Sequence, residues 1–130
     1  MKCRTLIAIC VVLAVNAPVF ASFSGTDVFL PSVGAKAGIG QSVWYTTVWV
    51  QNPGATTAHV MFYLLERQQN LSPASFTASI PAGDTKKFEN AIETMFAKQT
   101  FGALRMTSDA RVSAGARVYS QSGDIKDSVG

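Results

Sequence analysis

The sequence predicts an all-β domain: an immunoglobulin-like antiparallel β-sandwich of about seven strands with one short helix, preceded by a signal peptide. Three observations support this fold class. Short runs rich in β-branched and aromatic residues recur along the chain, turn signals separate them about every 8–12 residues, and only one segment repeats its apolar residues at helical spacing.

Residues 1–21 have the order of a secretory signal peptide. Lys2 and Arg4 form a basic tip. An apolar run occupies residues 6–15, and small or β-branched residues end the segment at Ala21. A basic tip, an apolar run and a small-residue end, in this order, are typical of a segment that is removed during export.

Two other interpretations of this leader fit less well. A membrane anchor would need about 20 apolar residues, roughly twice the length of this run. A lipoprotein that is cut before Cys10 would require a small residue where Ile9 stands. We therefore expect cleavage after Ala21, which leaves residues 22–130 as one secreted or periplasmic domain without a stable membrane anchor.

Cleavage would change the composition of the mature chain. It would remove Cys3 and Cys10, the two cysteines of the sequence, so no disulfide, thiolate metal site or cysteine nucleophile is expected. It would also remove Lys2 and Arg4, which leaves nine basic against eight acidic residues in place of 11 against 8. A basic surface for nucleic acid is therefore not expected.

The predicted strands follow the apolar and aromatic runs. They cover residues 28–30, 43–50, 58–65, 75–80, 85–88, 101–107 and 110–119. Pro31 stops the first run, which suits an edge strand. Residues 58–65 are apolar at almost every position, as in a central strand that is covered on both faces. Residues 52–54 and 81–84 are predicted turns.

One short helix is predicted after the sixth strand. Its apolar residues recur at helical spacing, at Phe88, Ile92, Met95 and Phe96. Asn90 and Glu93 resemble a capping box at its start. A helix of about two turns is too short to be stable alone, so we expect it to plug one end of the sheet stack.

The last two predicted strands constrain the turn between them. Their apolar faces coincide only if Met106 lies opposite Val112 and Arg105 lies opposite Ser113. This register predicts a loop with an odd number of residues, at 108–110, because a two-residue turn would place Arg105 on the apolar face.

Two motifs that suggest chemistry are incomplete. The stretch 34–42 has the glycine and hydroxyl offsets of a phosphate-binding loop, but Gln41 occupies the lysine position and a predicted strand follows. His59, the one histidine, has no nucleophile or orienting acid near it in the sequence. Asp124 and Asp127 are too few for calcium. We expect no catalytic residue, no metal site and no cofactor.

Aromatic residues give the strongest functional signal. Tyr45 and Trp49 share one face of the second predicted strand, whereas Trp44, Val48 and Val50 share the other and are predicted core. The first pair is either a platform for sugar rings or a partner protein, or it is buried under the helix or a loop. Burial is the commoner arrangement for large aromatic side chains.

A second candidate surface is basic. In the predicted hairpin, Arg105, Arg111 and Arg117 gather on the outer face with Tyr119 beside them. Such a cluster would bind an anionic ligand. The commoner role of charges on an outer sheet face is to keep the sheet soluble and to deter unwanted strand pairing.

The order of these motifs resembles a recurrent bacterial exported module. The leader is followed by the segments FLPSVG, WYTTVWVQNPG, IPAGDTKKFEN, FGALRMTSD and VSAGARVYS, as in largely uncharacterised immunoglobulin-like segments of secreted and cell-surface proteins. The resemblance covers nearly all of the mature chain and implies the sandwich fold, but its motifs say nothing about activity and give no catalytic residues to carry over. Such modules usually continue past a Val-Gly pair like residues 129–130, which implies a fragment or a domain whose last edge a partner completes.

These features predict a secreted, non-enzymatic structural or binding module at the bacterial surface or in the periplasm, with a protein or glycan as partner. Two alternatives stay open. A small hydrolytic or carbohydrate-active accessory protein would need His59 or a carboxylate pair inside a cleft. A chaperone or assembly subunit would pair strands through an open edge. The ligand and the oligomeric state do not follow from the sequence.

Overall fold

The computed structural model describes residues 24–121. The expected cleavage after Ala21, Asp124 and Asp127 therefore lie outside the described residues. The described part is mostly β, with seven strands and one short helix. The elements are β1 Gly25–Gly34, β2 Lys36–Ala37, β3 Val43–Gln51, β4 Ala58–Glu66, β5 Ser75–Ile80, β6 Thr85–Phe88, α1 Ala91–Phe96 and β7 Phe101–Gln121. The helix in this range, α1, has six residues, which are too few to span a membrane.

The strands form one curled antiparallel sheet with two halves. In half-sheet A, the order is β1, β7, β4, β5. In half-sheet B, β3 pairs with β7 along one side and with β2 and β6 along the other. β7 belongs to both halves, because its residues up to Val112 pair with β1 and β4, and those from Ser113 onward pair with β3.

The predicted hairpin with a loop at residues 108–110 is wrong. β7 is continuous through these residues, and Ser108 pairs with β4 while Val112 pairs with β1. A three-residue hairpin loop normally has a residue with positive φ, and no residue of β7 has one. The alternation that was assigned to two strands instead runs along one strand. Met106 and Val112 are accordingly both fully buried, on its inner face.

β1 is longer than the strand predicted at residues 28–30. It continues through Pro31, and its register with β7 shifts between Leu30 and Val33, so the strand passes the proline by a bulge. Within residues 24–121 it pairs with β7 alone, as expected of an edge strand. The short strand β2 has no counterpart in the prediction. The predicted number of strands and the number observed in the described residues are both seven, because β2 is an additional strand and the last two predicted strands form the single strand β7.

The two halves of the sheet face each other across an apolar core. Phe62 of β4 lies within it, fully buried. Its ring centroid is 5.4 Å from that of Phe88 in β6 and 6.0 Å from that of Phe76 in β5. Phe62 and Phe88 belong to different halves, so this contact joins the layers. Aliphatic residues buried in the same core include Val48, Val50, Val60, Leu64, Ile80, Leu104, Met106 and Val112.

The helix α1 fills space between the halves, but its capping differs from the prediction. Ile92 and Met95 are buried, and the helix packs against β3 and β5. Asn90 precedes the helix in the left-handed conformation and makes no side-chain hydrogen bond to the helix backbone. Its Nδ2 donates instead to Glu93 Oε2 at 2.6 Å. The capping box is therefore replaced by a contact between the two side chains.

Asn52 fixes the corner between β3 and β4, where a turn was predicted. This residue is fully buried. Its Nδ2 donates to the carbonyls of Thr56 at 2.7 Å and Ile80 at 3.0 Å, and its Oδ1 accepts the N–H of Gly54 at 2.9 Å. One amide thus satisfies buried backbone groups of the loop and of the end of β5, which positions the two halves relative to each other.

Phe62→Ala is expected to lower the free energy of unfolding by about 3–5 kcal/mol, because it removes a buried ring and leaves a cavity. The matched control is Phe29→Ala, at a position on the outer face of half-sheet A that is 55% exposed. Its expected loss is less than about 1 kcal/mol. Urea denaturation followed by tryptophan fluorescence would measure both, and equal losses in the two variants would contradict this packing.

Candidate functional site

The outer face of half-sheet B brings together four of the candidate residues. Tyr45 pairs with Tyr119, and residues that lie directly opposite in an antiparallel ladder project from the same face. Arg117 is the next residue on this face of β7, opposite Thr47, and Trp49 follows Thr47 on the same face of β3. We call the set Tyr45, Trp49, Arg117 and Tyr119 the aromatic face. It lies opposite the buried side of β3.

The aromatic face is partly accessible to solvent. Tyr45, Trp49 and Tyr119 are half-buried and Arg117 is exposed. The rings of Tyr45 and Tyr119 have centroids 5.9 Å apart and are tilted by 35°. The Arg117 guanidinium lies 5.5 Å from the Tyr119 ring centroid, at a cation–π distance. The two tyrosine rings therefore contact each other, and one of them contacts the arginine. The aromatic side chains are neither fully buried nor fully exposed, the two arrangements that the sequence left open.

A notch beside Trp49 adds polar groups to the aromatic face. Gly115 lies directly opposite Trp49, and a Cβ built on this glycine would meet no atom within 4 Å. The resulting depression has a volume of about 280 Å³ and is also lined by Gln51, Thr85 and Ser113. An indole ring thus borders a small open space that amide and hydroxyl groups surround. This combination can stack on a ring and form hydrogen bonds to its substituents.

The predicted arginine cluster does not form. Arg105 lies in half-sheet A, where its guanidinium donates to both carboxylate oxygens of Asp27 at 3.0 and 2.8 Å. Arg111 lies near the middle of β7 and donates to the backbone oxygen of Ser24. Arg117 lies in half-sheet B. Successive arginines are six residues apart, which is roughly 20 Å along one extended strand. They stay apart because β7 does not turn back on itself as the predicted hairpin would have done.

The structure pairs His59 with an acid that the sequence did not indicate. Asp109 Oδ1 accepts the backbone N–H of His59, and Oδ2 lies 2.7 Å from its Nδ1. These hydrogen bonds, above all the one from the backbone, hold the pKa of Asp109 below its usual value. The two residues are 50 apart and meet because β4 starts beside the middle of β7. No local spacing could have indicated this pair.

The His59–Asp109 pair has the surroundings of a structural contact. The side chains are 68% and 56% exposed on the outer face of half-sheet A. Ser79 of β5 lies directly opposite His59, but within residues 24–121 it makes no hydrogen bond to the imidazole. A nucleophile needs a base within hydrogen-bond reach and a pocket that excludes water. Asp109 here clamps the first residues of β4 to β7.

From the sequence, the phosphate-loop motif is incomplete and no metal site is predicted. The glycine-rich stretch forms a tight turn between β2 and β3, in which the Gly38 N–H donates to the Ser42 carbonyl and Gly40 has a φ of 72°. It precedes a strand, so it offers no helix N-terminus to a phosphate. Among the described residues, no group of three His, Cys, Asp or Glu is placed to hold a metal ion.

The ion pair between Asp27 and Arg105 predicts a pH dependence of stability. The hydrogen bond from Arg105 lowers the pKa of Asp27 from its usual value of 3.8. A depressed pKa stabilises the fold at pH values above 3.8, and this contribution is lost as the pH falls through the lower, folded value. Asp27→Asn should therefore lower the Tm at pH 7, and the difference from the wild type should shrink in acid.

Thermal unfolding by circular dichroism at about pH 7 and pH 2.5 would measure this difference. The control is the same substitution in an Arg105→Gln background, where the partner is absent and no pH-dependent difference is expected. A difference that stays constant between the two pH values would contradict the role of this pair.

Comparison with known proteins identifies the fold alone. No family model matches the sequence, and no curated protein is similar to it. Solved structures with this fold include the Anabaena sensory rhodopsin transducer, with a TM-score of 0.54 and 17% identity over 72% of this chain and 96% of that chain. They also include Thermotoga maritima protein 1070, with a TM-score of 0.54 and 13% identity over 83% of this chain and 100% of that chain. Neither name describes an exported module.

Proposed function

We propose that this chain is an exported, non-enzymatic binding module of the bacterial surface or periplasm, and that the aromatic face holds its ligand. The half-exposed aromatic residues beside the Gly115 notch carry this proposal. We further propose that the curled sheet is an immunoglobulin-like sandwich, which the contact between Phe62 and Phe88 across the two halves supports.

A neutral glycan is the ligand class that suits this face best. Sugar rings present apolar C–H faces that stack on aromatic side chains, and hydroxyl groups that need both donors and acceptors. Trp49 supplies the ring, and Gln51 supplies an amide that both donates and accepts. Thr85 and Ser113 add hydroxyl groups at the rim of the notch. Arg117, stacked on Tyr119, adds donors at a fixed position.

Oligosaccharide binding by the exported protein tests the proposal. A glycan array would identify a neutral oligosaccharide, and titration calorimetry would then compare variants with the wild type. Trp49→Ala should weaken binding by about tenfold or more, because it removes the stacking surface. Gly115→Leu should do the same by filling the notch, where a Cβ meets no neighbour and the fold is not strained.

The matched control is Tyr63→Ala, which removes a half-buried aromatic residue from the outer face of half-sheet A. Its affinity should equal that of the wild type. The proposal fails if no neutral oligosaccharide binds, or if Trp49→Ala and Gly115→Leu bind as well as the wild type does.

A second candidate, a subunit that pairs strands with a partner, is favoured by the end of β7. From Ser113 to Gln121 this strand has ladder partners along one side, in β3, and none along the other within residues 24–121. Ala116 projects inward opposite the fully buried Val48, yet it is exposed. An unpaired strand edge with apolar inward residues is a template for another strand.

If this edge pairs strands, the purified protein should be larger than a monomer in light scattering coupled to size-exclusion chromatography. Ala116→Lys should return it to the monomeric mass, because an inward charge at an edge opposes pairing. Thr77→Lys, on an exposed position of β5, is the matched control and should leave the mass unchanged. A monomer at all concentrations would contradict self-pairing.

A further inference from the structure

A second cleft, distinct from the aromatic face, opens where β1 passes into β2. Its volume is about 720 Å³. Lys36 of β2 lies on one wall, residues 66–70 at the end of β4 and in the following loop form the other, and Thr100 and Phe101 contribute from the start of β7. Segments from three parts of the chain thus converge there, and the volume lies in the range of small-molecule sites.

The charges around this cleft are not neutralised. Within residues 24–121, Lys36 and Arg67 have no ion pair, side-chain hydrogen bond or aromatic partner, and both line the cleft. Every other lysine and arginine in that range has one. Lys87 contacts Glu89, Lys98 contacts Glu66, Arg105 contacts Asp27, Arg111 contacts Ser24, and Lys86 and Arg117 lie over the rings of Phe88 and Tyr119.

Among the described residues that line the cleft, the single carboxylate already has a partner. Glu66 Oε2 accepts a hydrogen bond from Lys98 Nζ at 2.5 Å. This bond, with a smaller contribution from Thr100, lowers the pKa of Glu66, so the group stays ionised and paired. Its charge is cancelled by Lys98, and two positive charges remain for a ligand, those of Lys36 and Arg67. An anion is therefore the favoured occupant.

The other groups of the cleft suit hydroxyls and an apolar ring face. Gln68, Gln69 and Asn70 each carry an amide with a donor and an acceptor. The Oδ1 of Asn70 accepts the N–H of Ser72 at 2.9 Å, which orders the loop and leaves the Asn70 NH₂ group as a donor. Phe101 packs closely against Gly34, where an added Cβ would approach its ring to 2.1 Å. The ring thus has a fixed position.

We propose that this cleft binds a hydroxyl-rich anion with the chemistry of an acidic sugar. Lys36 and Arg67 hold the carboxylate or phosphate, the three amides bind hydroxyl groups, and Phe101 packs against the ring. The proposal concerns a site with no residue in common with the aromatic face, so it does not depend on the function proposed above. A uronate of an acidic polysaccharide and a sugar phosphate share this chemistry.

Amide chemical shifts of the ¹⁵N-labelled exported protein, titrated with glucuronate, glucose 1-phosphate, glucose and inorganic phosphate, test this site. We expect glucuronate, glucose 1-phosphate or both to shift the resonances of residues 66–70 and 100–101 in a saturable manner. Glucose and inorganic phosphate should each bind at least about tenfold more weakly, because each lacks one half of the recognised chemistry.

Lys36→Ala and Arg67→Ala should each weaken binding by about fivefold or more, and raising the salt concentration should weaken it further. Both residues are exposed, so the variants should keep the wild-type spectrum elsewhere. Lys86→Ala, which removes an exposed lysine from β6, is the matched control and should bind as the wild type does.

Each outcome bears on the proposal. Binding of glucuronate alone identifies a polysaccharide as the source of the ligand, and binding of glucose 1-phosphate alone identifies a phosphorylated sugar. Either result supports the site. If inorganic phosphate bound as tightly as either acidic sugar, the proposal would be overturned, because the amides and Phe101 would then contribute nothing to the affinity. Unchanged affinity in Lys36→Ala and Arg67→Ala, or shifts centred on the aromatic face, would also overturn it.

Discussion

The architecture depends on one uninterrupted strand, β7, which hydrogen-bonds to strands of both half-sheets. Its first half lies between β1 and β4, and its second half pairs with β3. Because the same strand pairs with strands of both halves, it is the element that joins them into one curled sheet. Leu104, Met106 and Val112 keep their side chains on the inner face throughout, so the core continues across the bend.

Much of this fold is readable from local pattern, and the errors have a common physical origin. β-branched, aromatic and apolar runs mark β3, β4 and β5, and the turn at residues 81–84 marks the start of β6. Period-2 alternation assigns the inner face correctly even along β7. Ser108 and Asp109 are polar, and their polarity imitates a loop although no residue of β7 has a positive φ. Asp109 is polar for a different reason, since it accepts hydrogen bonds from His59 on a neighbouring strand.

The candidate sites likewise fall into those that follow from local pattern and those that depend on contacts between distant residues. Tyr45 and Trp49 share a strand, so their common face follows from alternation alone, and Tyr119 and Arg117 join them through the register of β7 with β3. The contacts of Arg105 with Asp27 and of His59 with Asp109 join residues that are 78 and 50 apart, and depend on topology. The cleft at Lys36 and Arg67 is built from three separate segments, none of which carries a recognisable motif.

The position of β7 in the chain also has a consequence for the order of folding. It is the last strand of the described residues, yet it is the neighbour of three earlier ones. Until residues 101–121 are available, β1 lacks its one ladder partner and the two layers have no strand in common. Closing such long loops is slow compared with forming a local hairpin. Because synthesis proceeds from the N-terminus, the two half-sheets cannot share a strand until residues 101–121 have emerged.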